Sequence, residues 1–162
     1  MSLSRSLVAA AAAVALATAA MDGAMFRLEI RPPIAAGNLK DLKKTDKKAV
    51  LAVRARVCND LANVQIAGTA EGLVNGARQS VPLTLTEINR AEAVSVVLYQ
   101  WPENGAWVLH LKGSCSSPKA EASTLVPMSK GSFIRERTEV LGEPATKKQI
   151  EDTLGALARS QS

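Results

Sequence analysis

The sequence predicts a sandwich of two antiparallel β-sheets. Three observations lead there. Short runs alternate apolar and polar residues along most of the chain, Gly, Pro and Asn interrupt them at near-regular intervals, and two cysteines stand far apart, at 58 and 115. Half-buried strands with one apolar face each are buried by stacking sheet on sheet.

The first strand is Phe26–Arg31, alternating apolar and charged until Pro32-Pro33 stops it. A polar run, Asn38 to Lys48, follows; Asp41 and Asp46 break up its lysines, so it is expected to be a solvated linker. In Lys48–Cys58, Leu51, Val53, Ala55 and Val57 share one face and Arg54 and Arg56 the other. Cys58 falls off that inward parity, so it belongs at a bulge or past the strand end. Val64, Ile66 and Gly68 resume the alternation after an Asn59-Asp60 turn. Gly72–Val74, the turn Asn75-Gly76 and Ala77–Leu85 form a hairpin, because both central turn residues need positive φ. Pro82 inside the returning run places it at a sheet edge or bulge.

Thr84–Glu92 is expected to be a polar connection. Ala93–Trp101 then pairs with Ala106–Cys115, and Glu121–Met128 supplies a last strand. Residues 25–128 make up the sandwich domain and 129–162 a C-terminal extension. In it, Thr146-Lys-Lys-Gln149 is a capping box opening an amphipathic helix over about 147–159, with Ile150, Leu154 and Leu157 as its apolar stripe.

Likeness to immunoglobulin-type domains is limited to architecture. No Trp follows Cys58 at the distance those domains use, and Gly113, not a corner Tyr, stands two residues before Cys115.

Residues 1–20 carry Arg5 and then an unbroken apolar, Ala-rich run ending in small residues, the pattern of a secretory signal peptide. The run is shorter than the ~20 residues a membrane span needs. The expectation is an exported chain without stable membrane insertion, in the periplasm in the first instance and otherwise extracellular. The absence of an Asn-x-Ser/Thr sequon favours the periplasm. In an oxidising compartment Cys58 and Cys115 are expected to pair, and closing so long a loop stabilises a fold by roughly 4 kcal/mol in the chain-entropy treatment. Losing Arg5 lowers the formal charge only from +5 to +4, and no aromatic stands near the basic run to stack a base, so no nucleic-acid partner is expected.

Chemistry-bearing motifs are absent from the sequence. His110 is the only histidine and has no Cys or carboxylate at metal-ligand spacing. There is no Gly-x-Ser-x-Gly elbow, phosphate-cradling loop or Cys-x-x-Cys. Neither catalysis nor a cofactor is expected.

What remains is QWPENGAWVLHLKGSC, residues 100–115, which holds both tryptophans. As a hairpin with Trp101 opposite Ala106, it sets Leu98 against Leu109 and Val96 against Leu111. One face then collects Val94, Val96, Leu98, Trp107, Leu109, Leu111 and Cys115. The other holds Val97, Tyr99, Trp101, Val108 and His110, and is apolar for a surface. Two outcomes are open: the C-terminal helix covers that second face, or the face stays exposed and binds. The functional expectation is a protein-interaction module, an accessory, assembly or envelope subunit, using those five residues. The alternative is a small-ligand or glycan site with Tyr99 and Trp101 as a stacking platform and Glu103 and Asn104 as its polar groups.

Overall fold

The computed structural model describes residues 25–33 and 48–161. The stretch expected to be a signal peptide and most of the basic run fall outside the described residues. Ten strands form two antiparallel sheets, and one helix follows. The first sheet has the order β1 (Arg27–Arg31), β2 (Ala49–Arg56), β6 (Val94–Leu98), β5 (Leu85–Asn89). The second has the order β10 (Glu139–Leu141), β8 (Lys119–Ser129), β7 (Ala106–Ser116), β3 (Gln65–Val74), β4 (Ala77–Pro82), with β9 (Ser132–Phe133) also paired to β8. The expected sandwich is therefore present.

Its core is the layer between the sheets. Leu28 of β1, Leu51, Val53 and Ala55 of β2, and Val97 of β6 meet Trp107, Leu109 and Leu111 of β7 and Val126 of β8. Alternation dictates this layer, since side chains two apart on a strand share a face. The sandwich is also tied by polar and covalent links. The Thr124 hydroxyl donates to the Leu28 carbonyl at 3.1 Å, a buried bond between the sheets. Cys58 and Cys115 form the expected disulfide, from the end of β2 to β7, with a Cα–Cα distance of 5.8 Å. Cys58 lies past the strand end, as its parity requires. Val57 differs from expectation: at φ 62° it turns the chain out of β2, and its side chain is exposed rather than inward.

The Asn75-Gly76 hairpin forms with φ of 50° and 78°, and β4, which contains Pro82, is an edge strand. Three assignments change. Gln65–Val74 is a single ten-residue strand. The stretch expected to be a polar connection contains β5, whose Leu85 faces the core while Thr86, Glu87 and Asn89 are tolerated at a sheet edge. The largest change concerns β6 and β7. They do not form a hairpin: β6 pairs with β2 and β5, whereas β7 pairs with β3 and β8. Leu98 therefore lies opposite Ala49, and Leu109 between Ala70 and Val126.

The helix α1 (Lys147–Gln161) opens with the capping box. The Thr146 amide donates to Gln149 Oε1 at 2.8 Å, and the Gln149 amide donates to Thr146 Oγ1 at 3.2 Å. Leu154 and Leu157 are fully buried against Ala106, Val108 and Leu125 on the outer face of the second sheet, with Ile150 beside them. Arg78 of β4 fastens the helix, reaching Glu151 at 2.9 Å, Glu71 at 3.2 Å and the Gly72 carbonyl at 2.8 Å. Among the described residues no helix is long and apolar enough to cross a membrane.

Gly72 gives a test of the packing. A Cβ built there would lie 2.4 Å from the Trp107 ring, which is itself buried. Gly72→Ala is expected to cost about 1–3 kcal/mol, the range for overpacking a filled core. Urea denaturation of the oxidised protein measures it, and an unchanged midpoint would show that the Trp107 ring has room to move.

Candidate functional site

The link between β6 and β7 crosses from one sheet to the other, and this crossing builds the site. Tyr99 and Trp101 continue the inward parity of Val97, so their rings close one end of the sandwich. Gln100 points the other way and is clamped to Thr84. Its Oε1 accepts from the Thr84 amide at 2.9 Å, and its Nε2 donates to the Thr84 carbonyl at 2.9 Å. Pro102 begins the turn and Gly105 ends it at φ 90°, where a Cβ would strike the Leu73 carbonyl oxygen at 2.7 Å. The Trp107 indole N–H donates to the Asn104 carbonyl at 2.8 Å, fixing the crossing to the ring on which it sits.

The opposite wall comes from the β8–β9 hairpin. Lys130 and Gly131, at φ 49° and 74°, form a two-residue turn with both centres left-handed. Between this turn and the crossing lies a cleft of about 340 Å³. Tyr99, Trp101, Trp107 and Met128 give it an apolar wall, and Glu103, Ser129, Lys130 and Gln161 bring polar groups. The Tyr99 and Trp101 rings stand 4.7 Å apart, tilted by 43°. Tyr99 is half-buried, whereas Trp101 is 4% exposed and belongs to the core. Partial burial, helped by the nearby Glu103 charge, raises the Tyr99 hydroxyl above its usual range, so it stays a neutral hydrogen-bonding group at physiological pH.

The five residues expected on one face are thus divided. Val97, Tyr99 and Trp101 point inward from the first sheet. Val108 lies in the second sheet under α1, and His110 is buried on that sheet too. The helix covers Val108 but not Val97 or Tyr99, which are closed over by the sandwich itself. Only Tyr99 and the cleft edge of Trp101 reach the site. Lys130 and Gln161 were not anticipated. Lys130-Gly131 is a hairpin-turn signal readable in the sequence, but nothing local places it beside Tyr99. Gln161 enters because its Nε2 donates to the Met128 carbonyl at 3.3 Å, a contact made only when the helix docks.

His110 has a structural setting. Its Nε2 lies 3.3 Å from the Ser123 hydroxyl, and Ser123 Oγ in turn accepts the Ala145 amide at 3.0 Å, just before α1. Burial, reinforced by the Lys112 charge and opposed by Glu71, lowers the imidazole below its usual 6.5. On Glu71, burial alone would raise the carboxyl; hydrogen bonds from Thr69, Ser80 and Arg78, with the Arg78 charge, outweigh it and hold the group low.

Comparison with protein-family models, curated proteins and solved structures found no match to this chain, so its functional reading rests on the site alone.

The His110 setting has a pH consequence. The unfolded imidazole takes up a proton near 6.5 and the folded one resists it, so the unfolded state binds more protons below that pH. Stability is expected to fall as pH drops from 7.5 to 5.5. Because this is the chain's one histidine, His110→Gln should flatten that slope in urea titrations at the two pH values. Equal slopes in both proteins would remove His110 as the cause.

Proposed function

We propose that the chain is a non-catalytic binding protein whose site is the cleft between the β6–β7 crossing and the Lys130-Gly131 turn. Its ligand is a small hydroxyl-bearing molecule of the size of a sugar ring. The observation that carries this reading is the meeting of the Tyr99 face with Glu103, Lys130 and Gln161 in one cleft. Pockets of roughly 300–1,000 Å³ with an apolar wall and a few polar groups suit small ligands. A protein partner would favour a continuous apolar strip running down the sheet. That strip is not assembled, since Val97 is interior and Val108 lies under the helix. The disulfide fits an exported or soluble chain, and export to the periplasm is the setting we propose for it.

Both tryptophans line the cleft, so their fluorescence reports its occupancy. A series of mono- and oligosaccharides, titrated at millimolar and lower concentration, is expected to give a saturable change with at least one member. Tyr99→Ala should weaken that binding roughly tenfold, the order of a lost aromatic contact. Tyr99 is the position to change because truncating buried Trp101 would cost about 3–5 kcal/mol of stability. A response to peptides but to no sugar would move the site to a protein partner. A saturable response kept intact in Tyr99→Ala would take the site away from this cleft.

A further inference from the structure

The outer face of the first sheet, at β1 and β2, has a character unlike the rest of the surface. Arg27, Arg31, Arg54 and Arg56 all project from it, with Glu29 among them. Glu29 is shared by three guanidiniums, at 3.6 Å from Arg27, 3.1 Å from Arg31 and 3.3 Å from Arg56, while Arg54 reaches Glu92 at 3.0 Å. Four cations therefore share two carboxylates, leaving guanidinium donors unmatched. The sequence concentrates charge in the stretch from β1 to β2. Residues 27–56 hold nine of the chain's 20 Lys and Arg but three of its 15 Asp and Glu, so the remainder of the chain carries no positive excess.

A second, independent observation falls beside these strands, at their ends and on β10 of the second sheet. Among the described residues the exposed large hydrophobic side chains are Met25, Val57 and Val140. Met25 leads into β1, and Val57 follows Arg56, the partner of Arg27. Val140 lies across an open groove of about 560 Å³ from Glu29–Pro32, with Arg135 on its rim. Exposed apolar side chains and unmatched arginines thus border one edge strand.

We infer that this β1–β2 face docks peripherally on an anionic phospholipid surface. Guanidiniums bind phosphate oxygens through paired N–H donors, and isolated apolar side chains beside them enter the interfacial region between headgroups and acyl chains. Each basic residue near an anionic bilayer contributes a similar increment of attraction, screened by salt. A nucleic acid would be held by the same cations, but the face presents no exposed aromatic ring for base stacking, and Met25, Val57 and Val140 would gain nothing from a phosphodiester backbone.

The test is co-sedimentation of the full chain with vesicles of phosphatidylcholine alone and with 30% phosphatidylglycerol, at 50 and 500 mM salt. Binding is expected only to the anionic vesicles and should fall at high salt. Arg27→Gln with Arg31→Gln should weaken it at least tenfold, given about 1 kcal/mol per cation. Val140→Ser should weaken it without changing its salt dependence. The Arg pair is exposed, and circular dichroism together with an unchanged urea midpoint checks that the variants fold. Equal binding to both vesicle types, or anionic binding unaltered in the Arg double variant, would overturn the proposal. So would binding to duplex DNA that is tighter than to anionic vesicles.

Discussion

The apolar layer between the two sheets is the contact on which the rest of this structure depends. It exists because the chain leaves the first sheet after Leu98 and enters the second at Ala106, so that Val97 and Leu109 end on opposing sheets rather than side by side. A span of seven residues is ample for sheets packed about 10 Å apart. The crossing cannot be straight, because two aromatic residues follow Val97 on the inward parity and must be buried as well. Trp101 and Tyr99 fill the end of the layer, and Gln100, excluded from it, satisfies its amide on Thr84. The cleft is the remainder of that arrangement: the core ends there, and the Lys130-Gly131 turn stops short of the tyrosine, so that a Cβ added at Gly131 would only just reach the ring, at 3.7 Å.

The second apolar interface is subordinate to the first. Once β7 is committed to the second sheet, its outward residues Val108 and His110 need cover, and α1 supplies it to Val108 through Leu154 and Leu157. The polar part of this interface is local. Ser123 bridges His110 and the strap before the helix, and Arg78 bridges Glu71 and Glu151. These bonds fix where the helix lies, and its last turn then brings Gln161 to the cleft. A side chain at the end of the chain reaches the site because an apolar stripe two turns earlier found its place.

Charge is distributed by a different logic. The first sheet buries one face in the core; on the opposite face Ala52, Val96 and Leu98 form a small buried apolar cluster, while β1 and the end of β2 carry arginines. Glu29 sits among three of them where a neutral residue would leave like charges opposed across the strands. This relieves repulsion without cancelling the excess, so the face keeps a sign of its own while the aromatic cleft carries both Glu103 and Lys130.

The sequence by itself determined the sandwich, the disulfide, the Asn75-Gly76 hairpin and the capped helix. Each depends on local information: strand parity, a left-handed turn, a reciprocal cap, or the scarcity of cysteine. It also grouped Val97, Tyr99, Trp101, Val108 and His110 on one face, with Glu103 and Asn104 as polar groups of the alternative reading, and of these only Tyr99, Trp101 and Glu103 line the cleft. Only the tertiary structure decided which strands those residues join. Both faces of Val94–Trp101 are apolar, Val94, Val96 and Leu98 on one and Val97, Tyr99 and Trp101 on the other, so polarity could not say which face meets the core. A hairpin and a crossing between sheets satisfy the same alternation equally well within that segment. The choice was made by partners distant in sequence, β2 and β5 for one strand and β3 and β8 for the other.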